Sequence, residues 1–207
     1  MDLHCLPRTA LQYFVAVRPL RVLCAGHDWR GKRSVAAPFA ARGIVSNKMG
    51  EPFKIGVISD THGRFDGAVV STFEGVDLIL HAGDVGKASV IQQLEEIAPV
   101  LAVGGNNDSP GLYPTELVER IAGRTILVRH IFGELHQIGK KEREEVEHLG
   151  LDLVIFGHSH RPYQARLGRA ILFNPGSAGP RRFSLPRTVG LVLIRASSIK
   201  TRIRHLE

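Results

Sequence analysis

Between residues 53 and 156 the chain repeats one arrangement five times: a short apolar run closes on a residue that can hold a metal ion. Residues 53–59 lead to Asp60, 76–80 to Asp84, 99–103 to Asn106, 125–128 to His130 and 151–156 to His158. Continuous apolar runs mark strands buried on both faces. Helical stretches separate several of them: 65–73, 88–97 (with Val90, Ile91, Leu94 and Ile97 on one face) and 140–149. Strand–helix alternation of this kind builds βαβ units. After His160 the runs 163–167, 170–173, 189–195 and 198–204 are short, turn-separated and closer to alternation, and read as antiparallel strands. The pattern predicts an α/β core of two stacked sheets flanked by helices.

The five ligand-type residues follow one another at intervals of 24, 22, 24 and 28 positions, each close to one strand–helix unit. In an open α/β sheet the strand ends lie side by side on one edge, where ligands bind. His62 and His160 join by local spacing, since Asp60-x-His62 and His158-x-His160 let one loop offer two side chains.

The set is two Asp, one Asn and four His, with no thiolate, which does not favour a structural zinc site of the cysteine type. Mixed carboxylate and imidazole suits Mn, Fe, Zn, Ni or Co. Seven ligands exceed one tetrahedral ion and suit two divalent cations roughly 3.5–4 Å apart, as used for in-line displacement at phosphorus. One carboxylate then bridges them, and Asp84, at a central strand end, is the expected bridge.

Asp60-x-His62, Gly83-Asp84, Gly105-Asn106-x-Asp108, His130 and Gly157-His158-x-His160 together resemble the calcineurin-like metallophosphoesterase superfamily. Asn174-Pro-Gly-Ser177 resembles its small single-domain phosphodiesterase branch of bacteria and archaea. The resemblance spans about residues 53–195. It implies a four-layer α/β/β/α sandwich with two stacked mixed sheets. It also implies a phosphodiesterase in which a metal-activated hydroxide attacks a small phosphodiester. Asp60, His62, Asp84 and His160 would hold the first metal, and Asp84, Asn106, His130 and His158 the second. Asn106 and Asp108 are the residues expected to serve catalysis directly. Two departures stand out. Many members carry His where this chain has Asn107, and an amide cannot protonate a leaving group, so substrates with good leaving groups are expected. Many also read His-Gly-His where this chain has His130-Ile131-Phe132.

The formal charge of +7 would point to nucleic acid or other acidic partners. Its distribution argues otherwise. Residues 1–50 hold eight Lys/Arg and two acids, which leaves 19 bases and 18 acids beyond them. Nucleic acid is therefore not the expected partner of residues 51–207, read as the catalytic domain. The basic extension 1–50 has three readings: a targeting presequence, a disordered anion-binding arm, or sequence upstream of a true start at Met49. The position of Met49 just before the first strand favours the third. Cys5 and Cys24, both within that extension, give no sign of an oxidising compartment. No apolar run reaches the roughly 18 residues of a spanning helix. A cytoplasmic location without membrane contact is expected, and a homo-oligomer is compatible with the sequence.

Other residues have plainer readings. His81 is expected to pack at a strand end, and His136, His148 and His205 to be solvated. Residues 140–148 read as an exposed helix face with a Lys141–Glu145 pair. Asn174-Pro-Gly-Ser177 reads as a structural turn near the site. Arg181 and Arg182 reach a substrate phosphate or lie in a solvated loop. Asp108 bonds near the second metal or shapes its turn. Two other functions compete with the enzyme: a protein-binding scaffold of the same fold, as in vesicle-coat complexes, and a nuclease. A scaffold has no need of all seven ligands.

Overall fold

The computed structural model describes residues 51–133, 138–182 and 184–206. The basic extension and His136 lie outside the described residues.

The elements are β1 (Phe53–Ile58), α1 (Ala68–Thr72), β2 (Leu78–His81), α2 (Ala88–Glu95), β3 (Val100–Ala102), β4 (Glu116–Ile121), β5 (Arg124–Arg129), α3 (Lys140–His148), β6 (Leu153–Ile155), β7 (Tyr163–Leu167), β8 (Ala170–Asn174), β9 (Thr188–Arg195) and β10 (Ser198–His205). They form two five-stranded mixed sheets, ordered β10-β9-β1-β2-β3 and β4-β5-β6-β8-β7. β1, β2 and β3 are parallel to one another, as are β5, β6 and β8. Antiparallel strands complete each sheet: β9 and β10 in the first, β4 and β7 in the second.

Strand periodicity explains the layering. Alternate residues of each central strand turn to opposite faces. Ile55, Val57, Leu78 and Leu80 of the first sheet meet Ile126, Val128, Leu153, Ile155 and Phe173 of the second in one buried cluster. The outer face of the first sheet, with Ile58 and Ile79, packs under Val69, Val90, Ile91 and Leu94 from α1 and α2. The outer face of the second, with Leu127, Val154 and Leu172, packs under Val146 of α3. The result is the four-layer α/β/β/α sandwich.

Three local expectations change. The first helix begins at Ala68, with Gly67 as its N-cap, rather than near residue 65; Asp66 Oδ1 accepts the Ala68 amide at 2.8 Å in the turn that precedes it. β4, absent from the sequence-based reading, pairs along its length with β5. Ala122 (φ 47°) and Gly123 (φ 79°) turn that hairpin, the two-residue geometry whose twist matches its strands. In α3 the ion pair at four-residue spacing is Lys140–Glu144, not Lys141–Glu145. Glu145 instead receives Arg129, whose Nη2 lies 2.6 Å from Oε1 and which also holds Glu116. Among the described residues no helix is long and apolar enough to cross a membrane.

Candidate metal centre

Parallel strands place their C-terminal ends on one edge, and backbone bonds tie the loops that follow. After β1 and β2, Asp60 N–H donates to Gly83 O (3.0 Å) and His62 N–H to Asp84 O (2.9 Å). After β5 and β6, Gly157 N–H donates to His130 O (2.9 Å). The two sheets are joined across the site by Asp60 Oδ2, which accepts His158 N–H at 3.1 Å and the Ser59 hydroxyl at 2.7 Å. The Asn174–Ser177 turn closes the ring of loops. Asn174 Nδ2 donates to Gly157 O (2.8 Å) and the Ser177 hydroxyl to Asp60 O (3.0 Å).

Five potential ligand atoms form a closed circuit. His62 Nε2 lies 3.3 Å from His160 Nε2, which lies 3.2 Å from Asp60 Oδ1. Asp60 Oδ1 lies 3.9 Å from His130 Nε2, which lies 3.4 Å from Asp84 Oδ2. Asp84 Oδ2 returns to His62 Nε2 at 3.8 Å. Asp60, Asp84, His130 and His160 are buried, while Asn106 and His158 are exposed. Those two residues meet through Asn106 Oδ1 and His158 Nδ1 at 2.9 Å, and the His158 ring stands edge-on to His130 at 5.4 Å. The cluster is therefore sealed beneath and open on the Asn106–His158 side. All seven residues named from the sequence come together here. The carboxylate common to both tight groupings is Asp60, once with His62 and His160 and once with Asp84 and His130. Asp84 was the expected bridge, and its Oδ2 is the atom lying between His130 and His62.

These residues fit metal ions on internal evidence. His130 Nδ1–H donates to Ala82 O at 2.7 Å, which leaves Nε2 as the ring atom turned towards the carboxylates. That Nε2 and Asp60 Oδ1 are buried without a hydrogen-bond partner, a costly state that a bound cation relieves. Burial alone would push the Asp60 carboxyl up, but the His160 imidazole, the Ser59 hydroxyl and the charge of His130 together hold it below its ordinary value. Burial pushes the His62 imidazole below its ordinary value; Asp84 and Asp60 oppose this and Arg182 reinforces it.

The backbone is strained at the same place. Asp60, Asp84, His62, His158 and His160 all have left-handed φ between 47° and 68°. Such conformations cost on the order of 1 kcal/mol or more each for a side chain-bearing residue and gather at functional sites. Two glycines allow the close approach. A Cβ at Gly105 would collide with Asp84 Oδ1, and one at Gly157 with Ser59 Oγ.

Neighbouring residues divide the supporting work. Asp108 accepts the amides of Val85 (3.1 Å), Gly86 (2.9 Å) and Gly105 (2.9 Å), stapling the loop after β2 to the loop after β3. Asn107 grips Asp84 with both its amides: backbone N–H to Oδ1 at 2.8 Å and Nδ2–H to Oδ2 at 2.6 Å. Sequence reasoning treated Asn107 only as a missing proton donor, and nothing in its spacing signals this grip. Arg182 is exposed, with Nη2 3.4 Å from His62 Nε2. His81 is buried, accepting Gly83 N–H on Nδ1 (3.2 Å) and meeting the Thr61 hydroxyl on Nε2 (3.0 Å). It belongs to the packing beneath the site. His148 and His205 are exposed.

Known proteins place this geometry in context. A "Probable metallophosphoesterase" of Methanothermobacter thermautotrophicus is 36% identical over 146 residues, covering 66% of this chain and 84% of the relative. A "Phosphodiesterase" of Methanocaldococcus jannaschii is 28% identical over 153 residues, covering 67% and 92%. Vacuolar Protein Sorting 29 from Cryptosporidium parvum shares the fold, with a TM-score of 0.61 at 17% identity over 75% of this chain and 98% of that one. Residues 53–197 match the calcineurin-like phosphoesterase superfamily domain. The chain belongs to that superfamily, and it is a metal-dependent phosphoester hydrolase.

Proposed function

We propose that the protein hydrolyses small phosphodiesters at a centre for two divalent cations. The observation that carries this reading is the closed circuit of Asp60, His62, Asp84, His130 and His160, with Asn106 and His158 beside it. Asp60, His62, Asp84 and His160 hold one ion, and Asp84, Asn106, His130 and His158 the other. Mn, Fe, Zn, Ni and Co all suit this donor set. Bound there, such ions neutralise charge on phosphoryl oxygens and lower the pKa of water towards neutrality.

The chain's own residues do the rest. Asp108 keeps Asn106 in place by holding both loops through three backbone amides. Asn107 fixes the Asp84 carboxylate and cannot give the leaving group a proton, which favours esters that leave as weak bases. Arg182 stands beside His62 to meet a phosphoryl oxygen. The opening at Asn106 and His158 admits the substrate. A relative named as a phosphodiesterase supports this choice of ester.

The test is turnover of bis-p-nitrophenyl phosphate by metal-stripped protein with Mn, Ni, Zn or Mg added back. Metal-restored turnover, abolished by Asp84→Ala or His158→Ala, is expected. Absence of turnover with every metal sinks the reading and favours a protein-binding role.

A further inference from the structure

We infer that the cleft between the two open sheet edges is a docking site for an extended segment of a partner protein in which acidic and aliphatic residues alternate, added as a strand beside β10. This does not depend on the phosphodiesterase reading. Among the described residues β10 is the last strand of one sheet and β7 of the other, so each presents backbone N–H and C=O groups that no described strand pairs. A cleft of about 670 Å³ runs between them.

Its charge is one-sided. Arg166 of β7, Arg195 at the end of β9, and Lys200, Arg202 and Arg204 of β10 line it, and among the described residues no acidic one does. All five are exposed. Among the described residues none of their side chains forms a hydrogen bond or ion pair. Over residues 51–207 the charges nearly balance, with 19 bases and 18 acids, so this cluster is a local excess rather than a share of a basic surface.

The spacing selects the occupant. Lys200, Arg202 and Arg204 are two residues apart, on one face of β10, opposite Leu193, Leu191 and Val189 of β9. Successive cations are therefore roughly 7 Å apart along the strand. A strand added to β10 repeats at the same period, so acidic residues at every second position face these cations. The intervening residues meet Ile199 of β10 and Ile171 of β8, both in the cleft lining. Among the described residues no aromatic side chain lines the cleft, which removes the stacking platform that single-stranded nucleic acid uses. A second copy of β10 would set cations against cations, so self-pairing is disfavoured.

The experiment uses the full chain and a fluorescein-labelled ten-residue peptide of alternating glutamate and valine, followed by fluorescence anisotropy. A lysine–valine peptide and a ten-nucleotide oligothymidylate serve as controls. The acidic peptide should bind at least tenfold more tightly than either control. Lys200→Glu with Arg202→Glu should weaken it at least tenfold without changing the melting temperature, and Lys200→Gln with Arg202→Gln should weaken it by a smaller factor. Amide exchange should slow across residues 198–205 on binding. Failure of the acidic peptide to bind, equal binding by the charge-reversed variant, or tighter binding of the oligothymidylate overturns the inference.

Discussion

Nε2 of His130 stands 3.4 Å from Oδ2 of Asp84, while Nδ1–H on the far side of the ring donates to a carbonyl oxygen. The Nδ1–H bond to Ala82 O fixes the orientation of the ring. The pair couples the two sheets of the sandwich, because Asp84 follows β2 and His130 follows β5. Both groups are buried, and His130 Nε2 has no hydrogen-bond partner there.

Metal binding should therefore stabilise the fold. A ligand present at about 100 times its dissociation constant adds about 2.7 kcal/mol. For a domain of this size that is roughly 5–10 °C in melting temperature. Scanning calorimetry with and without Mn should show this shift, and His130→Ala should lose most of it. An undiminished shift in the variant would place the ion elsewhere.

Asn107 holds Asp84 but has no proton to give. Asn107→His should raise turnover of diesters with poor leaving groups, relative to bis-p-nitrophenyl phosphate, by about a hundredfold or more, the low end of general-acid contributions. The ratio of kcat/KM for a methyl ester and a p-nitrophenyl ester checks this. An unchanged ratio would mean that leaving-group protonation does not limit the enzyme.

Arg182 is an exposed cation beside the circuit, 3.4 Å from His62 Nε2. Arg182→Ala should raise KM roughly tenfold, the effect of losing one charge-assisted contact of about 1.5 kcal/mol, with a smaller change in kcat. A variant with unchanged KM would leave Arg182 in solvent.

His81 sets a pH dependence of stability. Burial pushes its imidazole down from 6.5 to about 4, against the opposing pull of Asp108 and Asp60. The geometry agrees: Gly83 N–H already occupies Nδ1, so a second ring proton has no place. The folded pKa lies below the unfolded one, so unfolded chains bind this proton first. Stability from the neutral ring is present above pH 6.5 and falls as pH drops from 6.5 towards 4, by up to about 3 kcal/mol. Urea titrations of metal-free protein should show a shallower fall for His81→Asn over that interval. Parallel curves would contradict the assignment.

What the sequence made legible follows from which signals are local. Strands buried on both faces leave continuous apolar runs, so the runs and the ligand-type residues that end them could be read directly. Asn106 and His158, although exposed, were found through the same spacing. β4 left no such mark: Glu116, Glu119 and Arg120 interrupt it, and only a half-buried alternation and an Ala-Gly turn remain. The left-handed backbone at Asp60, Asp84 and three of the histidines is imposed by the loops around it, and side-chain type alone does not reveal it. The grip of Asn107 on Asp84 depends on how the loops after β2 and β3 approach each other, which residue spacing does not contain. Arg129 took Glu145 from its helical neighbour because β5 passes within reach of α3, a tertiary relation that no helical pattern encodes.

The most direct measurement of the central claim is an anomalous difference map from crystals of the protein soaked in Mn. Two peaks per chain are expected, one against Asp60, His62 and His160, the other against Asn106, His130 and His158, with Asp84 touching both. A single peak, or peaks only outside this ring of residues, would contradict it.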